Sequence, residues 1–550
     1  MELFFTILIL MLVVSLSGIL IRMVPFQLPL PVIQIILGAA IAWMGLRVEF
    51  EPELFLVLFI PLLLFSDGRK TPLKEFLHHG REIIGLALVL VVLTVVGMGY
   101  LIHWLIPEMP LYASFALAAI LSPTDAVALS GIVGKGRIPH SIMSILEGEA
   151  LMNDASGLVS LKLALKVALG LMVFETMSDY YSAGLAFLLV AVGGLVAGIA
   201  VTWVYIRSLR FLSRWSNDDP AIQMILLLLL PFAAYVVAEH FEFSGILAAV
   251  AAGMTVNYSG VLRTAPLDMR LRANSVWSML EFVLNGMVFL MLGLQIPFIF
   301  ETSIDQLNSD PSMKTWMLFS DIIWIYLALL IMRFLWLWSM KVFSNRFLVK
   351  KPLQFGRYTV RELFVATFAG VRGAVTLAGA LSIPLFIKAS EPFPARYQIV
   401  FLATGIILFS LLCAMLALPI LLRGLTSTDQ VKLVEERNLA KKAMSEAAIQ
   451  SLEKLSERLI NNSEENIDPH LLNEVSSKVI GSLRRFSDVK EKQDELDRAE
   501  KLERHFRLIA LRAERGELYH LRATQQISGE TLEKLIYEID LHEKILTGNQ

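Results

Sequence analysis

An acidic side chain interrupts one of the most apolar stretches of the sequence. Asp154 follows Asn153 in GEALMNDASGLVSL, about a dozen residues into a predicted helix that begins near Ser141. A carboxylate in this setting can hold a proton or a dehydrated monovalent cation, because either one neutralises a charge that burial disfavours. A purely structural role, in which a hydroxyl or an arginine satisfies Asp154, is the open alternative. Asp154 is therefore the leading candidate for a residue that binds both a cation and a proton.

A second polar segment lies within the preceding apolar stretch, in ILSPTDAVALSGIVG. Pro123 lacks a backbone N–H and disfavours helix at Ser122, so the sequence predicts a break that leaves backbone groups without helical partners. Broken membrane helices are tolerated where they line a cavity. We expect Thr124 to offer oxygen ligands to a cation and Asp125 to cap the second half-helix. A plain proline kink with a capping aspartate would need no ion.

A third irregular segment, ATFAGVRGAVTLAGALSIP, places Arg372 between Gly370 and Gly373 in a long apolar run. An arginine inside the membrane needs an anionic or carbonyl partner. Carbonyls freed by a helix break, or Asp125 across the site, are the partners that the sequence offers. Arg372 is therefore predicted to hold a fixed charge rather than to bind a substrate.

Other ionisable residues in the apolar runs are weaker candidates. Glu281 and Asn285 lie one helical turn apart, and Arg333 on the following run is expected to pair with one of them. Glu239, in VVAEHFEFSGI, is either an interfacial residue or part of an outer vestibule. Lys162, two turns beyond the buried aspartate, is expected to extend toward the outer interface.

The elements that position these residues are predicted to be membrane helices. Of the 550 residues, 56% are hydrophobic and 18% are charged, whereas soluble chains are about half apolar and about a quarter charged. Apolar runs that are candidate membrane spans lie near residues 3–21, 28–45, 53–66, 82–106, 111–132, 141–170, 183–206, 221–238, 243–258, 274–300, 316–340, 361–387 and 396–422. We predict an all-α membrane protein with about 13 transmembrane helices.

Basic residues concentrate in every second connecting segment. Arg69 and Lys70 follow the third run, and Arg207 and Arg210 follow the seventh, whereas the intervening segments carry few basic residues. Because Lys and Arg are retained on the cytoplasmic side, this pattern places the N-terminus outside and the C-terminal tail in the cytoplasm. The interrupted fifth and twelfth runs then cross the membrane in opposite directions. We therefore expect inverted repeats, with two crossed, broken helices at the centre.

The composition changes at about residue 424. Residues 1–423 are predicted to form the membrane domain, and residues 424–550, which are rich in Glu, Lys, Arg, Ala and Leu at helical spacing, a soluble helical tail. A regulatory role and a dimer contact are the alternatives for the tail. The balance of 48 basic and 50 acidic residues argues against a nucleic-acid partner. We expect no cofactor, since the sequence contains no phosphate-binding loop motif.

Several motifs in order carry a family resemblance. SPTDAVAL, GEALMNDASGLV, AEHFEFSGILAAVAAGM, FLMLGLQ and AGVRGAVTL resemble the sodium/proton exchanger family of monovalent cation:proton antiporters, in its bacterial branch, over roughly residues 1 to 425. The resemblance implies a homodimer in the cell (inner) membrane, with one helical bundle carrying its ion site past a fixed dimerisation scaffold. It further implies that Asp154 binds the cation or proton, that Asn153 steadies the core, that Thr124 and Asp125 belong to the crossing helices, and that Arg372 and Arg333 match intramembrane arginines.

Two positions depart from the family pattern. Relatives often carry a serine ligand four residues before the buried aspartate, where this chain has Ala150, so Ser156 or a water is expected to substitute. Relatives also often carry a glutamate after the phenylalanine that ends the third span, where this chain has Ser66 followed by Asp67. We interpret Asp67, near the cytoplasmic end of that span, as a boundary residue. Ion choice is therefore open among Na⁺, K⁺ and Li⁺.

The expected activity is secondary active transport rather than enzyme catalysis. A monovalent cation and a proton would compete for Asp154 as the site alternates between the two sides of the membrane, in an electroneutral exchange that serves sodium and pH homeostasis. A cation channel or uniporter gated by the tail is one alternative. An intramembrane aspartyl protease that uses Asp125 and Asp154 is another, although neither residue lies in a Gly-x-Gly-Asp context.

Overall fold

A computed structural model describes residues 2–23, 28–45, 57–134, 137–171, 177–212, 220–261, 267–309, 315–347, 354–388, 391–423, 425, 439–440, 443–444, 446–454, 476–481, 493–524, 526 and 529–547. The contacts divide the chain into two compact units, Met1–Thr426 and Ser427–Gln550. Each unit is described by itself.

The first unit is helical apart from one short hairpin. Its helices are α1 (Glu2–Met23), α2 (Leu30–Trp43), α3 (Ile60–Lys70), α4 (Leu73–His78), α5 (Gly80–Ile84), α6 (Val91–Leu105), α7 (Leu111–Leu121), α8 (Ala126–Val133), α9 (His140–Ala168), α10 (Met177–Leu212), α11 (Pro220–His240), α12 (Gly245–Ser259), α13 (Leu267–Ser309), α14 (Thr315–Phe347), α15 (Gln354–Arg357), α16 (Val360–Phe368), α17 (Ala374–Leu381) and α18 (Arg396–Leu421). A π-helical stretch, Gly85–Leu90, joins α5 to α6, and strands β1 (Phe386–Lys388) and β2 (Glu391–Pro392) pair in antiparallel orientation.

Seven helices within the described ranges are long and apolar enough to cross a membrane, and the bent pair α7 and α8 supplies an eighth span. The helices α2 and α12 are apolar but shorter. Of the remaining predicted runs, 53–66 lies partly outside the described residues and continues as the short helix α3, 361–387 is interrupted between α16 and α17, and 141–170 carries several charges in α9. The exact count of 13 spans stays a prediction, whereas the all-helical membrane character is confirmed.

Both predicted helix breaks are present. The helix α7 ends at Leu121, just before Pro123, and α8 begins at Ala126 with its axis bent by 49°. The second break separates α16 from α17 across residues 369–373. The two breaks contact each other, because the backbone N–H of Asp125 donates to the carbonyl of Val371 at 2.7 Å. Each extended segment therefore satisfies part of the backbone that the other leaves free.

Two groups of helices surround the breaks. The helices α6 to α9, α14 and α16 to α18 share apolar cores and are called here the α9 bundle. The helices α3 and α10 to α12 share a separate core and are called the α12 panel. In this panel α3 and α12 approach so closely that a Cβ on Gly253 would lie 2.9 Å from the backbone nitrogen of Arg69. The long helix α13 contacts the panel, α2 and α18.

The second unit contains two helices of the tail, α19 (Gln493–Ala523) and α20 (Gly529–Thr547), which pack against each other. Arg515 of α19 joins them through Asp540 at 2.5 Å and Glu543 at 2.6 Å. Leu511 and Ile539 are buried in this unit. The two helices thus combine an apolar contact with a charged clamp.

Candidate ion-binding site

A cavity of about 680 Å³ lies between the α9 bundle and the α12 panel, and α2 and α13 complete its wall. Carboxyl groups dominate its ionisable lining, which consists of one lysine, Lys70, and the acidic residues Asp67, Asp125, Glu147, Asp154 and Glu281. Lys70 is about half exposed, so the cavity reaches the surface at the end of α3. A cleft lined by an excess of one sign of charge concentrates counterions of the other sign. This cavity is therefore suited to admit cations.

Asp154 lies at the inner end of this cavity. Its side chain projects from the middle of α9, the residue is 8% exposed, and it is the last residue of α9 along the chain that lines the cavity. Among the described residues, no side chain or backbone N–H donates a hydrogen bond to its carboxylate. A buried carboxylate without a protein partner requires a proton or a cation to offset its desolvation. The chemistry predicted for Asp154 therefore has the geometry that it needs.

Asn153 is fixed beside Asp154 by the first helix break. Its Nδ2 donates to Oγ1 of Thr124 at 2.8 Å, and the Thr124 hydroxyl in turn donates to Oε1 of Glu149 at 3.4 Å. Thr124 also lines the cavity. These contacts connect α9 to the extended segment after Pro123. Asn153 and Thr124 thus hold the break and the carboxylate-bearing helix in one arrangement.

Arg333 forms a buried ion pair that the sequence interpretation missed. Its Nη1 and Nη2 donate to the two carboxylate oxygens of Glu149 at 2.5 and 2.7 Å, and its Nε donates to the carbonyl of Ala366 at 3.0 Å. The side chains of Arg333 and Glu149 are 4% and 1% exposed. The predicted pairing of Arg333 with Glu281 or Asn285 is wrong, because Glu149, one turn before Asn153, presents its carboxylate to α14. The sequence did contain a signal for this pair, because Glu149 lies four residues before Asn153 and therefore on the same face of α9.

Glu281 instead faces the end of α3. Its carboxylate accepts from Oγ of Ser66 and pairs with Nζ of Lys70. Asn285 lies one turn further along α13 and lines the cavity. The predicted ion pair between spans is therefore present, but its cation is a lysine at the mouth of the cavity rather than an arginine.

Asp125 and Arg372 each form hydrogen bonds with backbone groups at the helix breaks. The Asp125 carboxylate accepts from the backbone N–H groups of Val127 and Ala128, both at 2.9 Å, and so caps α8 as predicted. Arg372 donates to the carbonyls of Leu121 at 3.2 Å and Gly370 at 2.6 Å. Of the two partners that the sequence offered for Arg372, the freed carbonyls are the ones that accept its guanidinium.

The glycine after Arg372 allows the breaks to approach. A Cβ on Gly373 would lie 2.6 Å from Cβ and Cγ of Asp125. Any larger residue would push the Asp125 carboxylate away from α8.

Three further positions bear on ion choice. Ala150 lines the cavity one turn before Asp154, and it brings no oxygen to the site. Ser156, expected as a substitute ligand, is not among the residues that line the cavity, and its hydroxyl donates to the carbonyl of Met152 at 3.1 Å. Asp67, which the sequence suggested to be a boundary residue, lines the same cavity from α3. Ser156 therefore does not replace the side-chain oxygen missing at position 150, whereas Asp67 adds a carboxylate to the cavity lining from the panel.

Comparisons with known proteins agree with this architecture. Residues 8–424 match the family model described as sodium/hydrogen exchanger, transmembrane. The chain is 62% identical over 548 residues to a protein of Escherichia coli (strain K12) named uncharacterized Na⁺/H⁺ exchanger YjcE, which covers 99% of both chains. It is 42% identical to the sodium, potassium, lithium and rubidium/H⁺ antiporter of Bacillus pumilus, over 82% of this chain and 66% of that protein.

A solved structure has the same fold. The sodium proton antiporter MjNhaP1 from Methanocaldococcus jannaschii superposes with a TM-score of 0.56 at 17% identity, over 78% of this chain and all of that one. The match of the family model over most of the membrane unit, together with the close full-length relative, identifies the chain as a member of the sodium/hydrogen exchanger family.

Proposed function

We propose that the protein exchanges a monovalent cation for a proton at Asp154, by alternating access and without net movement of charge. The observation that carries the proposal is the Asp154 carboxylate, which is buried at the end of an acidic cavity and receives no hydrogen bond from the described residues. Membership of the sodium/hydrogen exchanger family supports the same assignment.

Competition at one carboxylate explains how the two fluxes are coupled. A cation that reaches Asp154 through the cavity displaces a proton, and a proton that returns displaces the cation. Moving the bare carboxylate across the low-dielectric interior is far more costly than moving it neutralised, so the site changes sides only when it carries one of the two ions. Each cycle then exchanges one cation for one proton.

The residues around Asp154 have different roles in this mechanism. Asp154 supplies the charge, and Thr124 is positioned to offer an oxygen to the cation. The Asn153 amide and the Glu149–Arg333 pair keep α9 and the first break in register. Asp125 and Arg372 satisfy freed backbone groups with fixed charge. Of these side chains, only Asp154 exchanges its bound ion during the cycle.

We propose Na⁺ as a substrate, with K⁺ and Li⁺ as further ones. The name of the Bacillus pumilus relative includes all three cations. The absence of a side-chain oxygen at Ala150 supports breadth, because a site with few fixed ligands leaves water to complete the coordination shell and discriminates weakly by ion size.

The basic residues in every second connecting segment bear on the orientation in the membrane. We propose a homodimer in the cell inner membrane, with the N-terminus outside and the tail, residues 424–550, in the cytoplasm. The cavity opens near Lys70, beside the basic segment that follows α3, so in this arrangement the described state faces the cytoplasm. Exchange in this orientation would serve sodium and pH homeostasis.

The test is cation-driven proton flux in inside-out vesicles, with Na⁺, K⁺ and Li⁺ titrated at several pH values. Asp154→Asn is expected to abolish exchange while the protein still folds and inserts. Asp321→Asn is the matched control, because Asp321 is also an aspartate of an apolar helix, α14, but does not line the cavity. Full exchange in Asp154→Asn would refute the assignment. Cation flux without opposed proton movement would indicate a channel instead.

A further inference from the structure

On the side of the molecule opposite the cavity, an ion pair connects the α9 bundle to the α12 panel. On α9 the cavity is lined from Met143 to Asp154 and no further. Lys162 lies eight residues beyond Asp154 on the same helix, which is about 12 Å along its axis. Lys162 is therefore beyond the closed end of the cavity.

The partner of Lys162 belongs to the α12 panel. The Lys162 Nζ lies 3.3 and 3.2 Å from the two carboxylate oxygens of Glu239, near the end of α11. Glu239 also accepts from the backbone N–H of Gly245 at 3.3 Å, where α12 begins. An N-terminal amide favours a carboxylate through both its hydrogen bond and the helix dipole. Glu239 is thus held by the panel, whereas Lys162 reaches it from the α9 bundle.

An apolar layer separates this pair from Asp154. Ala155 and Leu158 of α9 belong to the same hydrophobic cluster as Ile246 and Leu247 of α12 and Leu195 of α10. This apolar layer lies between the panel and the bundle, within about one turn beyond Asp154. The ion pair lies on the outer side of that layer, with Lys162 62% and Glu239 34% exposed in its side chain.

We infer that Lys162 and Glu239 form a latch that closes the side opposite the cavity while the cavity is open. The inference rests on the proposed alternating access. To face the other side, Asp154 must reach solvent through the layer of Ala155 and Leu158, and that requires α9 to move relative to α12. Because one partner of the pair is on each group of helices, this movement separates Lys162 from Glu239.

The latch biases the two states modestly. Exposed ion pairs contribute little to stability, so loss of the pair should change the ratio of the two states by at most about fivefold. A permanent bond at the same position should instead stop the cycle. The two perturbations therefore have different expected sizes.

Cross-linking tests the movement directly. Lys162→Cys and Glu239→Cys are combined in a Cys413→Ser background, since Cys413 is the single native cysteine. The double-cysteine protein is expected to exchange before treatment, to lose at least nine-tenths of its exchange when joined by a short bifunctional methanethiosulfonate, and to recover it on reduction. Each single-cysteine protein treated with the same reagent controls for labelling alone. Undiminished exchange in fully cross-linked protein would overturn the inference.

Charge variants test the latch without a covalent bond. Lys162→Met is expected to shift the ratio of two spin-label distance populations, measured between α9 and α11, by about two- to fivefold toward separation. Combining Lys162→Met with Glu239→Gln should shift the ratio no further than Lys162→Met alone, because the ion pair is already lost and a glutamine at position 239 can still accept from Gly245. Lys166→Met is the matched control, because Lys166 is exposed one turn further along α9 and forms no ion pair with the described residues. An equal shift in Lys162→Met and Lys166→Met would overturn the latch.

The two proposals can fail separately. If Asp154→Asn still exchanges cations for protons, the proposed function fails whatever the cross-link does. If exchange depends on Asp154 but continues in cross-linked protein, the latch alone fails.

Discussion

The buried pair between Glu149 and Arg333 makes a prediction about both folding and transport. Arg333 of α14 binds both carboxylate oxygens of Glu149 and also the carbonyl of Ala366, near the end of α16. The pair thereby joins three helices of the α9 bundle next to the ion site. We consider the single variants Glu149→Leu and Arg333→Met and the double variant that contains both.

The size of the effect follows from burial. With side chains 1% and 4% exposed, removal of either partner leaves the other charge without compensation, which typically costs about 3–5 kcal/mol. Replacing both partners by apolar residues of similar volume removes that cost and is often neutral or stabilising. We therefore expect each single variant to lower the free energy of unfolding by about 3–5 kcal/mol and the double variant to lower it by less than either single one.

The same double variant should fold and yet transport poorly. Asn153 donates to Thr124, and the Thr124 hydroxyl donates to Glu149. An apolar residue at position 149 therefore removes the last acceptor of this series of hydrogen bonds. Thr124 and Asn153 then lose part of the order that positions the first break beside Asp154. We expect exchange in the double variant to fall well below that of the native protein even where its stability is recovered.

Reversible unfolding in mixed micelles, followed by vesicle exchange, separates the two effects. The thermodynamic cycle should give a coupling energy of at least about 2 kcal/mol between positions 149 and 333. Two outcomes would contradict this reasoning: single variants that cost less than about 1 kcal/mol, or single costs that simply add in the double variant.

Three further predictions concern other parts of the molecule. Gly373→Ala should strongly reduce exchange because its Cβ would meet Asp125, whereas Gly379→Ala, whose Cβ would find its nearest neighbour at 3.5 Å, should be tolerated in the same vesicle assay. Burial lowers the pKa of His79 below the usual 6.5, so the folded state disfavours the protonated ring. The neutral ring's contribution to the free energy of unfolding is therefore complete above about pH 6.5 and is lost as the pH falls through the lowered pKa. His79→Gln should therefore flatten the acid side of a thermal-stability profile, and an unchanged profile would contradict this. Ala150→Ser should raise the preference for Na⁺ over K⁺ by about fivefold in competition assays, because a fixed hydroxyl ligand worth about as much as one hydrogen bond favours the smaller ion. An unchanged ratio would show that position 150 does not contact the cation.

The sequence was sufficient to predict the features that depend on local chemistry. Pro123 predicted the first break and Asp125 its cap, and both are present. The glycines around Arg372 predicted the second break, because loss of helix there follows from residues within the segment itself. The family, too, was apparent from several short motifs that follow one another along the chain.

Pairings between distant helices were less predictable. Arg333 had two polar candidates on the preceding run, Glu281 and Asn285, and sequence spacing gives no information about which helix faces α14. Only the packing of the bundle brings Glu149 to it and leaves Glu281 to Lys70. Asp67 was underestimated for the same reason, since its position near the end of α3 suggested an interface, whereas the cavity extends that far.

The charges beside the two breaks explain why exchange in the proposed mechanism should be electroneutral. Within the described bundle helices, Glu149 is offset by Arg333, and the negative Asp125 is matched by the positive Arg372 a short distance away across the contacting breaks. Glu147 of α9 also lines the cavity, but in the proposed mechanism only Asp154 exchanges its ion, and one proton or one monovalent cation cancels its charge equally. Asp67 and Glu281 also line the cavity, but they lie on α3 and α13 rather than on the bundle, so they can attract a cation without travelling with it. The moving site therefore carries the same charge in both directions, so a full cycle in the proposed mechanism moves no net charge across the membrane.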